Sequence, residues 1–120
     1  MEDTNAIREI LSNYYSQLSK GDGWQAFLAE YIVLTGTVSK ETRGKDAYVN
    51  NTFFKLIRGL KVQKMIVERD SACALVNYDL VSPKGKSFTC DVSEIWRIKS
   101  GKLDSLAIYF DTAAFRNFMS

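Results

Sequence analysis

The sequence has no histidine, and among its 120 residues only one is proline and two are cysteine. Without histidine the chain lacks the commonest general base, the serine–histidine and cysteine–histidine nucleophile systems and most zinc sites. A net charge of +2 is also too small for binding to nucleic acid through its phosphates. We therefore expect no nucleic-acid partner, no metal and no cofactor, and any catalysis would use carboxylates, tyrosines or lysines.

Long hydrophobic runs are missing as well. The longest apolar segment lies near residues 31–34, whereas a membrane helix needs ~20 apolar residues. The acidic first residues are not followed by an apolar stretch, so we predict no signal peptide, no membrane contact and a cytoplasmic location. A length of 120 residues with 46% hydrophobic residues matches one globular domain, which we assign to residues 1–120.

Hydrophobic periodicity predicts three helices in the first half of the chain. Apolar residues recur at helical spacing over residues 7–18, and Gly21 supplies a stop. A capping pattern predicts a second, shorter helix over residues 24–31, which is followed by a strand over residues 32–38. A third helix is predicted over residues 45–58.

The second half of the chain predicts an antiparallel sheet. After an early strand over residues 60–69, two loops of three residues, each ending in glycine, connect three further strands. These loops pair Ser82 with Lys86 and Ile98 with Lys102, so the even-numbered residues of the three strands share one face. The predicted fold class is α+β, with three N-terminal helices packed on the concave face of a curved, mostly antiparallel sheet.

The odd-numbered face of this sheet is too apolar for a bare surface and too polar for a core. We therefore predict a homodimer that forms through the outer sheet face. The apolar residues of that face are Leu75, Val81, Ile95, Leu103 and Tyr109.

Three side chains are candidates for chemistry under the helices. Glu94 is the one charge in the even-numbered series over residues 88–98, and burial would raise its pKa so that it donates a hydrogen bond. Alternatively, Glu94 pairs with a cation such as Lys61 or lies at an open rim. Tyr14 lies within the apolar stripe of the first helix, either as an ordinary core tyrosine or with its hydroxyl near Glu94. Asp111 ends the last strand, either as a base at a cavity mouth or as the N-cap of a short helix.

Five motifs follow one another in a fixed order along the chain. They are LSKGD at 18–22, RGKDA at 43–47, DVSEIWRI at 91–98, GKL at 101–103 and YFD at 109–111. In this order and spacing they resemble the nuclear transport factor 2-like superfamily, the cystatin-like α+β cone that includes ketosteroid isomerases and SnoaL-like polyketide cyclases. The resemblance covers nearly the whole chain.

The resemblance implies roles for the same three candidates. Tyr14 falls where ketosteroid isomerases place their oxyanion-hole tyrosine, and Glu94 falls where they place a protonated carboxylic acid. The general base of those isomerases has no counterpart in residues 34–37, which argues against steroid isomerisation. By similarity to the SnoaL-like cyclases, Asp111 is the nearest candidate for a base.

Three functions are compatible with these observations. The favoured one is a pocket that binds a small apolar or aromatic molecule without catalysis. The second is a cofactor-independent isomerase or cyclase, in which Tyr14 and Glu94 stabilise an enolate and Asp111 moves the proton. The third is a protein-interaction module whose cone is filled by side chains. The predicted pocket residues are Trp24, Phe54, Tyr78, Val92, Trp96, Leu106, Ile108 and Phe110.

Overall fold

The computed structural model describes residues 4–36 and 41–120. The helices are α1 (Thr4–Lys20), a short 3₁₀ helix (Trp24–Phe27), α2 (Lys45–Val49), α3 (Phe53–Leu56) and α4 (Thr112–Met119). The strands are β1 (Leu28–Gly36), β2 (Thr42–Arg43), β3 (Ile57–Glu68), β4 (Ser71–Val81), β5 (Ser87–Lys99) and β6 (Lys102–Tyr109).

The six strands of the described residues form one curved, unclosed sheet in the order β2-β1-β6-β5-β4-β3. β1 runs parallel to β6, and the other neighbouring strands are antiparallel. The core lies between the inner face of this sheet and the helices, with α1 packed across β3 and β4. The predicted α+β class is confirmed. No helix in the described ranges is long and apolar enough to cross a bilayer.

Helix α1 follows the predicted stripe. Its inner residues are almost completely buried: Ile7, Leu11, Tyr14, Tyr15 and Leu18. The helix ends in a Schellman motif, in which Gly21 N donates to Leu18 O at 3.1 Å and Asp22 N donates to Gln17 O at 3.2 Å. The stripe is wide enough to bury two consecutive tyrosines, Tyr14 and Tyr15.

The prediction of a second helix over residues 24–31 is wrong in its extent. The 3₁₀ helix ends at Phe27, and β1 begins at Leu28. Leu28 and Ile32 are both buried, and a spacing of four residues fits one face of a helix as well as one face of a strand. Tyr31, which the predicted helix would have buried, is 87% exposed. Residues 37 and 38 of the predicted first strand lie outside the described residues.

The third predicted helix, over residues 45–58, is interrupted. α2 ends at Val49, α3 covers one turn, and β3 begins at Ile57. The interruption has a local cause, because Asn50 Nδ2 donates to Asp46 O at 2.8 Å and Asn51 Oδ1 accepts from Phe53 N at 2.9 Å. Such side-chain bonds to the backbone compete with helical ones.

The β4–β5 hairpin confirms the predicted register. Ser82 N donates to Lys86 O at 2.8 Å, and Gly85 adopts the left-handed conformation with φ +84°. Even-numbered residues of β4 and β5 therefore face the core, and Glu94 pairs with Ala74 in this register.

The β5–β6 hairpin differs from the prediction by one residue. Lys99 pairs with Lys102 across a two-residue turn, instead of Ile98 pairing with Lys102. A bulge between Arg97 and Ile98 then restores the even-numbered inner face further along the pair. The shift buries Leu103 completely, so its predicted place on the outer face is wrong.

Candidate functional site

A cavity of about 290 Å³ lies between the inner face of the sheet and the helices. Its wall is predominantly aromatic and aliphatic. β5 and β6 form one side, the connection between α2 and α3 forms another, and α4 contributes Phe115. Glu94 and the hydroxyls of three tyrosines form one polar cluster in the wall, and Asn51 and Thr52 are its other polar residues.

Glu94 is held in this wall by the alternation of β5. Its side chain lies between two apolar sheet neighbours, Ala74 of β4 and Ile108 of β6, and the residue is 5% exposed. Tyr15 donates to its Oε1 at 2.5 Å, and Tyr78 donates to its Oε2 at 2.8 Å. Both carboxyl oxygens are therefore occupied by phenol donors.

No ion pair involves Glu94 within residues 4–36 and 41–120, and Lys61, the cation considered from the sequence, is exposed on β3. Burial raises the pKa of Glu94 from 4.5 to about 7, although the bonds from Tyr15 and Tyr78 act in the opposite direction. Protonated and ionised Glu94 therefore coexist near neutral pH.

Tyr14 lines the same cavity but has a different partner. Its hydroxyl is bonded to the Tyr48 hydroxyl at 2.9 Å, while Glu94 is bonded by Tyr15, the next residue of α1, and by Tyr78. Tyr14 and Glu94 therefore share one cavity, but the tyrosines that bond Glu94 were not identified from the sequence. Burial raises the pKa of Tyr14 and Tyr48 well above the usual value, so both hydroxyls are neutral.

Asp111 does not line the cavity. It is exposed and acts as the N-cap of α4, with its Oδ1 accepting a hydrogen bond from Ala114 N at 3.0 Å. Of the two interpretations drawn from the sequence, the structure confirms the N-cap.

Six of the eight predicted pocket residues line the cavity, and both tryptophans lie behind the wall. Trp24 packs on Phe54 with ring centroids 4.5 Å apart, and Trp96 donates from Nε1 to the Tyr15 hydroxyl at 2.8 Å. The six that line it are Phe54, Tyr78, Val92, Leu106, Ile108 and Phe110.

From the interrupted third helix the predicted pocket included Phe54 alone, and it included nothing of α4. Phe53 and Phe115 approach each other with ring centroids 6.5 Å apart at this end of the cavity. A signal for Phe115 was present, since the Asp111 cap and the following apolar residues indicate a helix that folds back onto the sheet. The other lining residues that were not predicted are Leu34, Gly36, Tyr48, Asn51 and Thr52.

The order of elements, the curved mixed sheet and the cavity under the N-terminal helices define a protein of the nuclear transport factor 2-like fold, and this chain has that fold. It is similar, with a TM-score of 0.84, to a protein from Jannaschia sp. CCS1 assigned to the SnoaL-like polyketide cyclases. Identity there is 13%, over 100% of this chain and 98% of the other. A nuclear transport factor 2-like protein of unknown function from Burkholderia pseudomallei K96243 also gives 0.84, with 17% identity over 96% and 98% of the two chains.

A third similar structure is TerC co-crystallised with polyporic acid, with a TM-score of 0.80 and 16% identity over 94% of this chain and 97% of TerC. At these identities the likeness is one of fold. No family model matches the chain, and no curated protein matches it in sequence.

Proposed function

We propose that this protein binds a small apolar or aromatic molecule in the cavity, in the manner of a SnoaL-like pocket protein. The observation that carries the proposal is a cavity of about 290 Å³ whose wall is mainly apolar, with its polar groups at the cluster around Glu94 and at Asn51 and Thr52. Small-molecule sites combine a mainly hydrophobic lining with a few convergent polar groups. A core that served stability alone would be filled, because voids of this size destabilise a protein.

The volume limits the size of the ligand. An apolar cavity of ~150 Å³ accommodates benzene, so a space about twice as large fits a molecule of two rings. The same cavity speaks against an interaction module with a filled cone. TerC, which shares the fold and was co-crystallised with polyporic acid, supports the view that the fold accepts small organic molecules.

Native mass spectrometry of the protein as purified tests the proposal first, by detecting a bound small molecule. A calorimetric titration with indane, a two-ring hydrocarbon, provides the second test. Val92→Phe places extra volume in the cavity and should weaken indane binding at least tenfold, whereas Ile66→Phe, on a 54% exposed residue outside the wall, should leave it unchanged. Absence of binding to the unmodified protein, or equal binding by both variants, would refute a ligand site in the cavity.

The second candidate function is a cofactor-independent isomerase or cyclase, and one observation favours it. Among the lining residues within 4–36 and 41–120, Glu94 is the only carboxylate, and its pKa near neutrality suits proton transfer. Asp111 caps α4, so the proton would move through Glu94 itself. The test is exchange of the α-protons of 1-indanone in D₂O, followed by NMR. Exchange that depends on the protein and is lost in Glu94→Gln supports catalysis, and exchange at the spontaneous rate argues for binding alone.

A further inference from the structure

We propose that the ligand is a carbonyl compound whose oxygen is bound by the Tyr78 hydroxyl, and that a proton on Glu94 turns this hydroxyl toward the cavity. The inference deepens the ligand-binding proposal above and rests on it. It follows from the directions of the hydrogen bonds in the cluster.

The first direction is fixed at Tyr15. An indole N–H can only donate, so the bond from Trp96 Nε1 at 2.8 Å makes the Tyr15 oxygen an acceptor. The one hydroxyl hydrogen of Tyr15 must then point to Glu94 Oε1, at 2.5 Å. All three residues are buried, so no solvent competes for these bonds.

The second direction depends on the proton of Glu94. Because Oε1 already accepts from Tyr15, a proton on the carboxyl group lies on Oε2, which is 2.8 Å from the Tyr78 hydroxyl. When Glu94 is ionised, Tyr78 donates to Oε2. When Glu94 is protonated, Oε2–H donates to Tyr78, and the hydroxyl hydrogen of Tyr78 rotates away from it. Tyr78 lines the cavity, so that hydrogen becomes available to a ligand.

The surroundings leave Glu94 as the group that titrates near neutral pH. Tyr15 of α1 and Tyr78 of β4 bond it, Tyr14 of α1 and Tyr48 of α2 are close enough to feel its charge, and burial raises the pKa of each of these tyrosines well above its usual value. Its neighbours on the adjacent strands are apolar. The pKa of Glu94 is about 7. As the pH falls through neutrality, the Tyr78 hydroxyl hydrogen therefore leaves Glu94 and can bond a ligand in the cavity.

This arrangement favours a ligand that accepts a hydrogen bond. A ketone oxygen carries no hydrogen, so it gains a bond from Tyr78 only when Glu94 is protonated. Other possible donors line the cavity: the Tyr14–Tyr48 pair, whose mutual bond uses one of its two hydroxyl hydrogens, and the side chains of Asn51 and Thr52. None of these donors depends on the proton of Glu94, so the pH dependence of binding separates them from Tyr78.

The test compares three ligands of one shape: 1-indanone, which only accepts, indole, which only donates, and indane, which does neither. Calorimetric affinities are measured from about pH 5.5 to about pH 8.5. We expect 1-indanone to bind about tenfold more weakly at the higher pH, the value of one hydrogen bond. Indane affinity should stay constant, and indole affinity should not fall.

Variants assign the donor. In Glu94→Gln the amide oxygen must face Tyr15 and the amide N–H must face Tyr78. This variant should therefore bind 1-indanone at every pH with the affinity that the unmodified protein has at low pH. Tyr78→Phe should weaken 1-indanone about tenfold at low pH and leave indane unchanged. Tyr15→Phe removes a bond that favours ionised Glu94, so the midpoint of the response should move to higher pH. The matched control is Tyr31→Phe, at an 87% exposed tyrosine, which should behave as the unmodified protein.

Several outcomes would overturn the inference while leaving the proposed function intact. One is indane binding accompanied by 1-indanone affinity that is independent of pH. Another is a response that Tyr14→Phe abolishes and Tyr78→Phe does not. If Tyr78→Phe fails to fold, a constant response in Glu94→Gln and a shifted midpoint in Tyr15→Phe decide the question. Failure of all three ligands to bind would refute the proposed function and the inference together.

Discussion

At the scale of single residues, Glu94 couples the stability of the protein to pH. Its pKa is about 7 in the folded protein and 4.5 in the absence of burial, so the folded state holds the proton more tightly. The contribution of Glu94 to the free energy of unfolding is fully present below about pH 4.5 and is lost as the pH rises through 7. The difference corresponds to roughly 3 kcal/mol of unfolding free energy.

Urea unfolding at a series of pH values measures this effect. We expect the unmodified protein to lose stability between about pH 4.5 and pH 7 relative to Glu94→Gln, which cannot ionise. Because the two proteins share every other titrating group, the difference between their curves isolates Glu94. Parallel curves would show that Glu94 keeps an ordinary pKa.

Gly36 is required by a close approach of β1 to β6. A Cβ at this position would lie 2.9 Å from Ile108 Cγ1 and 3.0 Å from Ile108 O, and the carbonyl belongs to the backbone of the paired strand. We expect Gly36→Ala to reduce the unfolding free energy by about 1–3 kcal/mol. Gly59→Ala is the matched control, since its Cβ would meet Asp79 Oδ2 at an ordinary 3.6 Å. Equal urea midpoints for the two variants would contradict this account.

At the scale of elements, α4 closes one end of the cavity and depends on the Asp111 cap. Asp111→Ala removes the acceptor of Ala114 N and should reduce the unfolding free energy by about 1 kcal/mol, while Asp111→Asn retains an acceptor and should change it little. The same pair separates capping from base catalysis. If Asp111 were the base, Asp111→Asn would abolish 1-indanone exchange in a protein of unchanged stability.

Some elements could be predicted from the sequence because local rules determine them. The apolar stripe of α1 was sufficient to predict that helix, and the glycine at position 85 was sufficient to predict the β4–β5 hairpin. Strand alternation alone placed the Glu94 side chain on the inner face of the sheet. The interrupted third helix could not be predicted from apolar spacing, since the side chains of Asn50 and Asn51 compete for backbone groups.

The identity of the tyrosines bonded to Glu94 is a property of packing. Tyr14 and Tyr15 are adjacent on α1 and both are buried, so the rotation of the helix on the sheet decides which hydroxyl reaches the acid. That rotation is set by contacts with β3 and β4, distant in sequence from α1. Tyr78, by contrast, shares the even-numbered face with Glu94 and was placed in the pocket by alternation.

At the scale of the whole molecule, the outer face of the sheet carries an exposed apolar patch. Leu75, Ile95 and Tyr109 lie on the adjacent strands β4, β5 and β6 and are 37%, 44% and 49% exposed. Ser93 pairs with both Leu75 and Tyr109, so the three apolar side chains surround one small residue. We propose a second copy of the chain as the partner, because a patch of this kind matches a homodimer interface.

Replacing Ile95 with lysine tests the dimer at its centre. The unmodified protein should be a dimer by light scattering at micromolar concentration, and Ile95→Lys should be a monomer, because two buried and unpaired ammonium groups would face each other across the interface. Ser87→Lys is the matched control, since Ser87 is exposed at the start of the same strand, about 26 Å from Ile95 at the usual rise per residue. A monomeric unmodified protein, or a dimeric Ile95→Lys variant, would exclude this face as the interface. In either case the cavity on the opposite face would be unaffected, because Ile95 points away from the wall that carries Glu94.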